Sequence, residues 1–86
     1  MKYRVEWESK AQIEMLEIWA TLDSARFSEV RRSVKAIERR LSIDPTTEGE
    51  SRAGNVRITF DGLIAVLFVV NEDDRLVSVT TAWLCR

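Results

Sequence analysis

Residues 56–70 read VRITFDGLIAVLFVV. Apolar and polar residues alternate at first, an Asp-Gly pair follows, and an apolar run then continues without a break. The period of two marks a strand, with Val56, Ile58 and Phe60 on one face and Arg57 and Thr59 on the other. The apolar set is expected to face the core, so Arg57 is expected on the opposite side. Asp61-Gly62 is a strong hairpin signal. LIAVLFVV, residues 63–70, has no polar face. It predicts a central strand, covered on both sides or left apolar on one side for a partner.

The flanks extend this hairpin. NEDD, residues 71–74, turns the chain again. RLVSVTTAWL, residues 75–84, alternates loosely, placing Val77, Val79, Thr81 and Trp83 opposite Leu76, Ser78, Thr80, Ala82 and Leu84. Upstream, DPTTEGES, residues 44–51, is a loop by composition. Before it, Phe27, Val30, Val34, Ile37 and Leu41 recur at steps of three and four, the mark of a helix packed on a sheet. Asp23 or Ser24 can cap this helix. An earlier helix opens with Ser9 and Gln12 spaced as a capping box. Its apolar stripe is Ala11, Met15, Ile18, Trp19 and Leu22, broadened by Ile13 and Leu16. The short connection predicts an antiparallel helical hairpin. YRVEW, residues 3–7, is a first strand with Tyr3, Val5 and Trp7 on its core face. The order is β-α-α-β-β-β, an α+β fold, and residues 1–86 are expected to form a single domain.

Composition narrows the chemistry. Of 86 residues, 45% are hydrophobic and 31% charged, as in a globular chain. There is no histidine and one cysteine, Cys85. An imidazole base or metal ligand, an internal disulfide and a four-thiolate metal site are therefore excluded, and no cofactor is expected. The lone thiol suits a reducing cytoplasm. The opening residues lack the apolar core of a signal peptide, and no apolar run is long enough to span a bilayer as a helix. A net charge of −1 argues against an obligate nucleic-acid binder. A local patch remains open: Arg31, Arg32, Lys35, Arg39 and Arg40 outnumber Glu29 and Glu38, as a solvated helix face or as a surface for nucleic acid or an acidic partner.

Taken together, YRVEWESKAQIEMLEIW, VKAIERRLSIDPTTEGES, VRITFDGLIAVLFVV and LVSVTTAW resemble, in order and spacing, the RelE/ParE toxin superfamily of toxin–antitoxin modules. The resemblance implies two helices on a twisted, mostly antiparallel sheet and a cognate antitoxin that wraps the toxin. RelE-like members cleave mRNA on the ribosome without a metal; ParE-like members inhibit DNA gyrase. Arg57 matches a commonly basic position. Near Ile64 and Ala65 this chain is apolar where an arginine commonly stands.

RNA cleavage needs a base, an acid and a group that stabilises the phosphate. Arg57, Arg52 and Arg86 are candidates for the phosphate, and Glu50 or Glu48 for the base. A solvated or antitoxin-facing role for Arg57, and loop ion pairs for Arg52, are the structural alternatives. The apolar excess of residues 63–70 further predicts a bound partner or a homodimer.

Overall fold

The computed structural model describes residues 2–85. Its elements are β1 (Arg4–Trp7), α1 (Ser9–Ala20), α2 (Ser24–Ile43), β2 (Glu50–Ser51), β3 (Val56–Asp61), β4 (Ile64–Asn71) and β5 (Leu76–Leu84). The strands form one sheet in the order β1-β5-β4-β3-β2. Only the β1–β5 pair is parallel; the others are antiparallel. This is the expected α+β arrangement with one addition. The two-residue β2 forms inside the stretch that composition assigns to a loop.

The β3–β4 hairpin turns on Gly62 and Leu63, between the paired Asp61 and Ile64. Gly62 has φ +55°, and a Cβ there would come within 2.8 Å of Ser33 Oγ. Glycine supplies both the left-handed conformation and the room for α2.

Both helices cover the same face of the sheet. Ile64, Val66 and Phe68 of β4 and Val77, Val79 and Ala82 of β5 pack beneath Ala11, Met15 and Ile18 of α1 and Val30, Ile37 and Leu41 of α2. The helical stripes are narrower than the sequence suggests. Phe27 is 43% exposed and leans on Trp19, with ring centroids 4.6 Å apart. Ile13 and Leu16 lie off the line of Ala11, Met15 and Ile18 and are exposed. Asp23 caps α2, accepting from the Arg26 N–H at 2.9 Å. Ser9 is already helical; the α1 cap is Glu8, and Gln12 Nε2 donates to the Trp7 carbonyl instead of closing a capping box.

β1 stops where Trp7 pairs with Val79. From there α1 occupies the outer edge of β5. The Glu8 N–H donates to the Val79 carbonyl at 2.9 Å, and the Ala82 N–H donates to Glu14 Oε1 at 2.9 Å. Hydrogen bonds from Lys10 and from the Ala82 N–H hold the Glu14 carboxyl below its ordinary pKa. A helix side chain thus satisfies a strand edge that would otherwise be unpaired.

Two sequence phases are corrected. Leu67 faces Thr81 but Phe68 faces Val79, so Thr80 is the extra residue of a β-bulge. The bulge reverses the alternation. Ala82 and Leu84 continue the core face of Val77 and Val79, while Trp83 falls on the opposite face. In β3 the polar set is the inner one. Arg57, Thr59 and Asp61 pair with the buried Phe68, Val66 and Ile64, and Thr59 is buried. Val56, Ile58 and Phe60 face away from the helices, and Phe60 is 67% exposed. The reason lies in what covers β3. Arg40 of α2 and the segment after α2 lie over it, and their polar groups need polar partners.

Candidate functional site

The face of the sheet opposite the helices is built in rows by the strand register. Phe60, Ala65 and Trp83 form one row; Ile58, Leu67 and Thr81 the next; Val56, Val69 and Ser78 the third. Ala65 is only 2% exposed because the two aromatic residues flank it. Across these rows no side chain is ionisable. Charge returns at the edges. Glu50 stands opposite Ile58, and the Arg52 N–H donates to the Val56 carbonyl at 2.8 Å. On the far edge Arg4 and Glu6 form an exposed pair at 2.9 Å. An apolar field with a charged rim is the usual anatomy of a docking surface.

The opposite side of β3 carries a polar cluster. Arg40 Nη1 donates to Asp61 Oδ2 at 2.8 Å, Arg40 Nε to Glu48 Oε2 at 3.0 Å, and Arg40 Nη2 to the Phe60 carbonyl at 3.0 Å. Thr59 Oγ1 donates to the same Glu48 oxygen at 2.8 Å. The hydrogen bond from Arg40, helped by Ser33, holds the Asp61 carboxyl below its ordinary pKa against the effect of burial. Burial disfavours the Arg40 charge, and its two carboxylates outweigh that effect. Among the described residues no buried side-chain polar atom lacks a hydrogen-bond partner.

The candidate residues separate. Arg57 lies on the helical side. Its Nε donates to the Glu48 carbonyl at 2.9 Å and its Nη2 to the Gly49 carbonyl at 3.2 Å. It staples the segment before β2 onto β3, and it does not project from the outer face as the alternation suggested. Glu48 is bound into the Arg40 cluster. Glu50 and Arg52 are exposed at the β2 edge, on the side of Ile58 and Val56. Arg86 lies outside the described residues. The outer field of Phe60, Ile58, Leu67 and Trp83 escaped the sequence reading. Its one signal was the two-faced apolarity of residues 63–70, whose second face needs cover. Among the described residues no helix is long and apolar enough to cross a membrane.

No family model and no curated protein matches the chain. Solved structures do. The RelBE2 toxin–antitoxin complex of Mycobacterium tuberculosis superposes with a TM-score of 0.73 at 15% identity, over 99% of this chain and 93% of that one. The RelE–RelB complex of Pyrococcus horikoshii gives 0.61 at 17% identity, over 98% and 96%. The isolated RelE toxin of E. coli gives 0.58 at 14% identity, over 98% and 85%. A helical pair packed on a mixed five-stranded sheet is, in this chain, the fold of the RelE toxins.

Proposed function

We propose that this chain is the toxin-like member of a type II toxin–antitoxin pair, working in the cytoplasm as a single domain and inhibiting growth by binding a cellular target. The carrying observation is the outer sheet face, whose three central rows are mostly apolar and hold no ionisable side chain, the hydroxyls of Ser78 and Thr81 being their polar groups. A cognate antitoxin is the partner that this field suits best. The fold supports the reading, since its structural neighbours include RelE–RelB complexes. The commitment of Arg57 to two backbone carbonyls supports binding over cleavage. Ribosome-dependent mRNA cleavage is the competing activity, and it would draw on groups at the rim such as Glu50, Arg52 and Lys10, whose Nζ donates to Thr81 Oγ1 at 3.4 Å. The test is expression in a bacterium with growth, translation and DNA supercoiling followed together, and primer extension on ribosome-bound mRNA. Growth arrest without site-specific cuts is expected, relieved by co-expression of a cognate antitoxin. Strong cuts would overturn the binding mechanism. Absence of arrest would leave a noncatalytic protein-binding domain with a toxin fold.

A further inference from the structure

The two helices leave a groove between them on the side away from the sheet. Met15 and Trp19 of α1 and Val34 of α2 line it, Trp7 stands at one end, and it holds about 290 Å³. Leu16 forms its lip and is 67% exposed. Ile13, 57% exposed, carries the apolar surface over the top of α1, and the exposed Phe27 carries it onto α2. Charge is divided across this groove. On α1 the exposed Glu17 lies about 40° round the helix from Ile13, and Glu8 is exposed at the cap. On α2 Arg31, Arg32, Lys35 and Arg39 are exposed. Among the described residues none of these six charges is in an ion pair. The other acids are placed elsewhere. Glu14 is taken by Lys10, Glu38 accepts from Trp7 Nε1 at 2.8 Å, and Glu29 lies on the far flank of α2, about 160° round the helix from Phe27. Two contacts fix how the helices stand beside each other: Trp19 against Phe27 at one end, and Trp7 against Glu38 at the other. Counted in from them, Arg31 and Arg32 lie within about one turn of the level of Glu17, and Arg39 stands near that of Glu8.

We infer that the exposed face of this helical hairpin binds the same face of a second copy of the chain, about a twofold axis running along the groove. Such a rotation lays α1 of each protomer antiparallel along α2 of the other, so the four helices form a square bundle. Leu16, Ile13, Val34 and Phe27 then share one apolar centre. The charge pattern selects this occupant. A segment of one sign would oppose either Glu8 and Glu17 or the four cations. A second copy opposes neither, because the rotation keeps each residue at its level and exchanges the helices. Glu17 of each protomer meets Arg31 and Arg32 of the other, and Glu8 meets Arg39. Lys35 lies over the apolar edge with its stem and keeps its ammonium in water. The overlap is limited by α1, which has 12 residues. It measures roughly 18 Å by 20 Å, at about 1.5 Å per residue and about 10 Å per helix. That is the small end of interfaces, so the dimer is a weak one. It leaves the outer sheet face open to a different partner.

The test is sedimentation equilibrium of the full chain across a wide concentration range, which should show a reversible monomer–dimer mixture. Leu16→Glu places a charge in the apolar centre and should weaken the dimer at least about tenfold. Because Leu16 is mostly in water in the single chain, its urea midpoint should barely move. Charge exchange then tests the pairing. Glu17→Arg alone and Arg31→Glu/Arg32→Glu alone each set like charges together and should each be largely monomeric. Mixed, the two variants satisfy both contacts and should form a heterodimer close to the parent in strength. Arg31→Gln/Arg32→Gln should give the same order with smaller changes, and serves if charge reversal perturbs folding. A monomer at every concentration, a dimer that survives Leu16→Glu, a dimer lost in Phe60→Glu instead, or a mixture that stays monomeric would each overturn the proposal.

Discussion

Phe60 and Phe68 are the same residue on adjacent strands, facing opposite sides of one sheet. They separate the core from the docking field by energy. Phe68 is fully buried, and Phe68→Ala should lose about 3–5 kcal/mol, transfer and cavity together. Phe60 keeps 67% of its surface in water, so a third is covered. Full burial of such a side chain is worth about 1.5–3 kcal/mol, so that third contributes about 0.5–1 kcal/mol. The lower strand preference of alanine adds a further fraction of about 1 kcal/mol. Phe60→Ala should therefore lose less than about 2 kcal/mol, below the Phe68→Ala loss. Urea denaturation followed by tryptophan fluorescence reads both, with unchanged m-values as the check that the comparison is fair. Equal losses would mean that the outer face is covered in the isolated chain, and the docking field would be refuted.

Gly49 has φ +67°, and a Cβ there would collide with the Ile58 carbonyl; Gly49→Ala should lower stability by at least about 2 kcal/mol in the same titration. Arg57→Ala removes two hydrogen bonds to the backbone before β2. It should lose about 1–2 kcal/mol and speed amide exchange around Glu50, while unchanged exchange would deny the staple. Asp61 is held below its ordinary pKa in the fold, so the unfolded chain takes up its proton more readily. Its contribution is complete above the ordinary carboxylate range and is lost as pH falls through the lowered value. Asp61→Asn should flatten the acid limb of a stability–pH profile, and a profile of unchanged slope would contradict the Arg40 pairing.

The architecture was legible where one element meets one kind of neighbour. β4 reads as central because both of its faces are apolar, and α2 reads as a core helix because Val30, Ile37 and Leu41 keep strict helical spacing. The misread positions share a cause, in that periodicity says which residues are alike but not what lies over them. Val56, Ile58 and Phe60 look like core in any count of apolar residues. Only the placement of Arg40 and Glu48 over the other side of β3 shows which face is inner. The bulge at Thr80 is equally hidden, since Thr80 and Thr81 suit either phase. Arg57 reads from sequence as a phosphate-holding or a solvated, antitoxin-facing residue, but its partners are carbonyl groups of a segment whose path the sequence does not specify.

The parallel pairing of β1 with β5 has a temporal meaning. Arg4 sits against Leu76, so β1 waits for β5 before it acquires a neighbour. Neither hairpin can complete the sheet alone, and the ordering of such distant segments makes folding slow and all-or-none. A growing chain still lacking β5 has no Val77, Val79 or Ala82 to seat α1, and its β4 edge lies open. The seating of α1 and the closure of the sheet thus come together, when β5 arrives.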